Sequence, residues 1–156
     1  MSRRSRIEST VMRSLKKDED VSDRDIIVDL LCEQCPSGKT YSPDETFEIP
    51  NEVVIDRGPN SQMSTIELIG DDEYLTTMQA DGICIATPTG STAYNLAAGG
   101  SLCHPENPVF LVTAICAQTL SFRPITLPDT MVLKLGVPYN AQLNPWASFD
   151  GRKRYA

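Results

Sequence analysis

The stretch from Asp81 to Gly100, DGICIATPTGSTAYNLAAGG, constrains the fold more than any other part of this chain. Ile83, Cys84, Ile85 and Ala86 make a short apolar run bounded by Gly82 and Pro88, the pattern of a strand buried inside a sheet. Thr87-Pro88-Thr89-Gly90-Ser91-Thr92 follows, and its hydroxyls need hydrogen-bond partners wherever they are buried. Gly90 lets the backbone come close to whatever docks there, and Ser91 or Thr92 is placed to cap a helix from Ala93 to Ala98. Gly99 and Gly100 then end that helix. A helix start behind a glycine and several hydroxyls offers backbone N–H groups to an anion or a sugar. A capped strand-to-helix turn that binds nothing has the same spacing.

The flanking sequence reads mostly as β-structure. Ile7 to Arg13 suits a strand, with Ile7, Ser9 and Val11 on one face. Lys16 to Asp25 is a charge run, most simply a solvated loop. Ile26 to Cys32 is an apolar cluster that fits a short strand or a short helix. Val53-Val54-Ile55 is β-branched, and Arg57-Gly58-Pro59-Asn60 turns the chain. Thr65 to Ile69 and Tyr74 to Met78 flank Gly70-Asp71-Asp72 as a hairpin. Val109 to Cys116 reads as a strand buried on both faces, and Met131 to Val137 as another, with Val132, Leu133 and Leu135 supplying apolar contacts. Trp146 to Phe149 runs into Asp150-Gly151, a strong hairpin signal. The return strand then has little room before Ala156, an unfinished pattern that suggests a truncated domain.

A chain of 156 residues is one domain with room for a real core. Its net charge of −7 argues against a nucleic-acid binder. No apolar run approaches membrane-spanning length, and the basic opening Met1-Ser2-Arg3-Arg4-Ser5-Arg6 has no hydrophobic region behind it, so it is not read as a secretory signal. Five cysteines without such a signal point to free thiols in a reducing compartment. The expectation is therefore cytoplasmic, with a mitochondrial location left open. Cys32-Glu33-Gln34-Cys35 has the spacing of a zinc half-site or redox pair, but only Cys103 with His104 offers an adjacent pair of further ligands. Free thiols are the simpler reading, and no metal site is expected. His104, the one histidine, is read as a structural hydrogen-bonding residue.

Asp81-Gly82 followed by Thr87-Pro88-Thr89-Gly90-Ser91-Thr92-Ala93-Tyr94 resembles the signature of the NAD kinases. Three further segments agree in the family's order: Asn51-Glu52-Val53-Val54-Ile55-Asp56-Arg57-Gly58, Leu120-Ser121-Phe122-Arg123-Pro124 and Ser148-Phe149-Asp150-Gly151-Arg152. The similarity covers roughly Phe47 to Arg154, in a form like that of eukaryotic, fungal members. Four ordered motifs are far more specific than one.

The resemblance implies a mainly β fold, the distorted β-sandwich of the NAD kinase C-terminal domain with one or two short helices. Residues 1–156 would form that single domain, with 16–45 as an insertion or loop region. An α/β N-terminal domain carrying a Gly-Gly-Asp-Gly loop precedes it in the family, and this sequence contains no such loop. The implied activity is transfer of the terminal phosphoryl of ATP to the 2′-hydroxyl of the adenosine ribose of NAD, using Mg²⁺ or another divalent cation. The family's general base is the aspartate of the missing loop, so no catalytic residue is expected here and the isolated chain should be inactive.

By resemblance the dinucleotide would be held by Asn51, Glu52, Asp81, Thr89, Gly90, Thr92, Ala93 and Tyr94, with Asp150 near the nucleotide. An amide suits the edge of a base and a carboxylate suits sugar hydroxyls, which fits Asn51 and Glu52. Read from the residues alone, Asn51 could equally cap a turn, Asp81 could be an Asp-Gly turn residue, and Tyr94 could pack. Gln118 stands where relatives often have a histidine, and Arg123 suits either a structural or a substrate role. Relatives assemble as homo-oligomers, so the resemblance extends to that. The alternative is a stand-alone NAD-binding or regulatory module that lacks phosphoryl transfer.

Overall fold

A computed structural model describes residues 5–14, 25–31, 41–119, 122–141 and 145–155. Its main sheet has six strands, all antiparallel to their neighbours. In spatial order they are β11 (Lys153–Tyr155), β10 (Trp146–Phe149), β3 (Glu52–Asp56), β6 (Gly82–Ala86), β7 (Val109–Ile115) and β8 (Ile125–Pro128). A second sheet holds β5 (Glu73–Ala80), β4 (Ser64–Gly70) and β9 (Leu133–Gly136). A ribbon pairs β1 (Ile7–Ser14) with β2 (Tyr41–Ile49).

Alternation along the strands sorts the main sheet into two faces. Val53, Ile83, Ile85, Phe110, Val112 and Phe149 point one way. They meet Ile66, Leu68, Met78 and Ala80 of the second sheet and Ile7 and Ile49 of the ribbon. This is the core of a distorted β-sandwich, as expected. Phe47 of β2 seals one end by stacking on Phe149, with ring centroids 4.4 Å apart. Val54, Cys84, Ala86 and Leu111 point the other way. That second face carries α2 (Tyr94–Ala97) and the loop before it.

Both expected hairpins form. Asp71 and Asp72 have φ of 46° and 65°, and Asp150 and Gly151 have φ of 47° and 68°. Two positive φ angles in succession are the mark of the two-residue turns that match strand twist. β11 completes the last hairpin, with Ala147, Ser148 and Phe149 opposite Tyr155, Arg154 and Lys153.

Three local expectations need correction. Tyr41 to Glu45, read as part of a loop or insertion, is the first half of β2. Its polar character comes from an outward face where Arg6 pairs with Glu48, Arg13 pairs with Asp44, and Thr10 meets Thr46. Val132 is not a core residue. Its backbone N–H donates to Asp71 and its carbonyl accepts from Asp71 N–H, which leaves the side chain 61% exposed. The helix expected from Ala93 to Ala98 forms as α2, one residue shorter at each end and preceded by a 3-10 turn over Thr89–Thr92, but the expected Ser91 or Thr92 cap does not form, since no side chain caps either piece. Ser91 bonds Cys103 instead, accepting from its N–H at 3.1 Å and donating to its carbonyl at 3.2 Å. The undecided cluster after Asp25 is helix α1 (Ile26–Leu31). The Cys32-Cys35 pair and Leu120-Ser121 lie outside the described residues.

Candidate functional site

The second face of the main sheet brings the motif residues together around the backbone of Pro50 to Glu52. The Asp150 carboxylate accepts from the N–H groups of Asn51 and Glu52 at 3.0 and 3.1 Å, through one oxygen, Oδ1. The Asp150 N–H donates back to the Glu52 carbonyl at 3.0 Å. From the other side, the Thr87 hydroxyl donates to the Pro50 carbonyl at 2.6 Å and its N–H donates to the Asn51 carbonyl at 2.8 Å. The same hydroxyl accepts from the Gly90 N–H at 3.0 Å. The Asn51-Glu52 pair is thus gripped between the hydroxyl loop and the hairpin turn, two segments about sixty residues apart in sequence.

Gly90 explains why that grip is tight. A Cβ placed on it would lie 2.2 Å from the Asn51 carbonyl oxygen and 2.6 Å from its carbon. Close backbone approach was the expectation, but the partner is the Asn51 backbone rather than open ligand space. Nor is a positive φ the reason for glycine, since Gly58, Gly99 and Gly151 are the glycines in that region among those described.

Glu52 is the most unusual group here. It is 9% exposed, and its Oε2 is buried without a hydrogen-bond partner. Burial raises its pKa, the Asp150 charge raises it further, and the Tyr94 backbone N–H works against both. Cys84 lies close enough that burial and the Glu52 charge push its thiol up to about 12, so it is an inert thiol. Tyr94 is 44% exposed. Burial raises the pKa of its hydroxyl, and Asp56, Cys84 and Cys116 raise it further.

The raised pKa of Glu52 has a consequence for stability. The folded chain holds that proton more tightly than the unfolded chain, so the linked stability is complete below the unfolded-state value. It is lost as pH rises through the folded-state value. Glu52→Gln should therefore melt above wild type at about pH 8 and lose that advantage at about pH 4. Thermal unfolding at the two pH values checks this.

The remaining candidates spread around this centre. Thr89 has a buried hydroxyl without a partner, whereas Thr92 and Ala93 are exposed on the turn. Asp81 sits at the other end of the face, beside the cross-strand pair Asp56 and Gly82, and forms an ion pair with Arg57 at 3.0 Å. His104 accepts from the Glu106 N–H, the structural part expected of it. Arg123 is exposed and borders a cleft of about 370 Å³ with Gly99, Thr113, Cys116, Thr119 and Phe122. Among the described residues no group of three or more His, Cys, Asp or Glu is placed to hold a metal ion.

Sequence reasoning missed Asn95. Its side chain is fully buried under α2, donating to the carbonyls of Ser91 and Ser101 at 3.4 and 3.1 Å and accepting from the Thr113 hydroxyl at 2.8 Å. It ties the hydroxyl loop to β7. The available signal was one amide among Leu, Ala and Gly, opposite a single threonine in the apolar run of β7.

The model of the ATP-NAD kinase C-terminal domain matches residues 50–156. An uncharacterized kinase of Schizosaccharomyces pombe is 58% identical over 116 residues, which are 74% of this chain and 30% of that protein. The NAD(+) kinase of Saccharomyces cerevisiae is 51% identical over 109 residues, 70% of this chain and 21% of that one. This chain therefore spans less than a third of the length of these curated relatives. Among solved structures, yeast NADH kinase complexed with NADH aligns with a TM-score of 0.70 and 31% identity, over 95% of this chain and 35% of that chain. An NAD kinase of Archaeoglobus fulgidus in complex with ATP aligns with a TM-score of 0.64 over 70% of this chain and 42% of that one. At 21% identity, it speaks for the fold alone.

Proposed function

This chain belongs to the NAD kinase family through that C-terminal domain, and we propose that it supplies the NAD-binding part of an enzyme that phosphorylates NAD to NADP with ATP. The observation that carries the reading is Glu52. A nearly buried carboxyl with an unpartnered oxygen is costly in an empty fold. Paired ribose hydroxyls would give that oxygen donors. Asn51 would read the adenine edge, the orphan Thr89 hydroxyl would find a partner on the ligand, and Thr92, Ala93 and Tyr94 would line the open side. Asp81, held by Arg57, would take the carboxamide of the nicotinamide end. Gly90 and Asp150 support the pair from behind.

Phosphoryl transfer asks for positioning, for neutralisation of the phosphate charge, and for a carboxylate near the attacking hydroxyl. By resemblance that carboxylate belongs to a Gly-Gly-Asp-Gly loop, which these 156 residues do not contain. The described residues do not fit a resident metal, so a divalent cation would travel with the ATP phosphates. Cys84, Cys103 and Cys116 are free thiols, which suits the cytoplasm. No helix among the described residues is long and apolar enough to cross a membrane.

The test uses the purified chain with NAD and MgATP. Calorimetry should show saturable NAD binding, and enzymatic assay should show no NADP. Turnover with contaminating kinase excluded would mean that the base lies within this chain. Absence of NAD binding would remove the reading.

A further inference from the structure

We propose that Asp150 is a positioning residue with two separable actions on Glu52: it fixes the backbone that presents the carboxyl, and it sets a second carboxylate beside that buried, unpartnered group, so that binding of a hydroxyl-bearing ligand is coupled to proton release from Glu52. The ligand half of this inference rests on the NAD-binding reading, and the Asp150 half does not.

The geometry separates the two actions. Asp150 touches Glu52 through the backbone, with one carboxylate oxygen on two successive N–H groups and its own N–H on the Glu52 carbonyl. The Glu52 side chain is left with Oε2 unpartnered inside the fold. Among the described residues Glu52 forms no ion pair, and what faces it is negative or neutral. Asp150 comes from the β10–β11 turn, the un-ionised Cys84 thiol from β6, and the Tyr94 backbone N–H from α2. Asp56, further along β3, acts on Tyr94. Two carboxyl groups joined through one short backbone segment disfavour ionising together, and burial acts in the same sense. A vicinal diol donating two O–H groups stabilises the ionised form more than the protonated one. Ligand binding would then expel the proton from Glu52 to solvent, so affinity would fall as pH drops through the Glu52 titration.

Asp150→Asn and Asp150→Ala take the actions apart. Asparagine keeps an oxygen at the Oδ1 position and tolerates the positive φ of this residue, but removes the charge. Alanine removes both. The readout is the ¹³C chemical shift of the Glu52 carboxyl against pH in the full chain, with and without NAD, alongside the amide shifts of Asn51 and Glu52. In wild type the Glu52 midpoint should lie above the ordinary glutamate value. It should fall in Asp150→Asn while the two amide shifts stay close to wild type, and Asp150→Ala should move the amides as well. Saturating NAD should lower the wild-type midpoint, with proton release confirmed by calorimetry in buffers of different ionisation enthalpy. An equal midpoint in wild type and Asp150→Asn overturns the charge action. Unchanged amides in Asp150→Ala overturn the backbone action. NAD binding that leaves the midpoint where it was overturns the ligand linkage. A chain that binds no NAD overturns that linkage together with the NAD-binding reading, and the unliganded titrations still decide the action of Asp150.

Discussion

Gly90→Ala should destabilise the chain by about 1–3 kcal/mol and weaken NAD binding by about tenfold or more. The cause is one contact. The added methyl would sit 2.2 Å from the Asn51 carbonyl oxygen, and backbone at the centre of a hydrogen-bonded grip cannot yield as a flexible side chain would. To relieve it, the hydroxyl loop must lift from Asn51, which stretches the bond from Thr87 N–H to the Asn51 carbonyl and displaces the Thr87 hydroxyl from Pro50. Gly90→Asn should be no better, because asparagine relieves left-handed backbone strain and Gly90 has none to relieve. Thermal unfolding should register a fall of roughly 2–4 °C per kcal/mol for a domain of this size. Wild-type melting and NAD affinity in Gly90→Ala would show that the loop does not rest on Asn51.

Asn95→Ala should cost about 2–3 kcal/mol, because it strands the buried Thr113 hydroxyl and the Ser91 carbonyl and removes the tie to the Ser101 carbonyl. Asn95→Asp separates hydrogen bonding from packing. It has nearly the same shape, but it loses the amide donor and would place a carboxylate against two carbonyl oxygens. It should be the less stable variant at neutral pH and recover partly in acid, where the carboxyl can donate again. Denaturant unfolding of both variants at two pH values tests this. Equal stability of wild type and Asn95→Ala would mean that α2 is held by its apolar contacts alone.

Fold and site were legible to different depths. The strands over Val53, Ile83 and Phe110 could be read because the alternation or apolar continuity of each run lies within a few residues. The hairpin turns at Asp71-Asp72 and Asp150-Gly151 were legible for the same reason. Strand β2 was not, because half of it is polar and it pairs with β1 across separations that run from Ser14 with Tyr41 to Ile7 with Ile49. Its identity depends on Phe47 and Ile49 reaching a core formed by other segments. Val132 looked apolar and lies in solvent because its backbone, rather than its side chain, makes the local attachment.

The candidate site divides along the same line. Sequence alone established that Asn51, Glu52, Thr89, Gly90 and Asp150 lie in chemically suitable motifs, since residue type and spacing are local properties. It also determined that the Gly90 backbone approaches something closely. Only the tertiary structure decided that this something is Asn51, that Asp150 holds the backbone of Asn51 and Glu52, and that Asn95 anchors the loop. Those contacts join positions 50–52, 87–95, 101–113 and 150, which are brought within hydrogen-bonding reach only after β3, β6, β7 and β10 align side by side. Burial of the Glu52 carboxyl has the same origin, because desolvation is produced by neighbours from several strands and is a property of no single stretch of sequence.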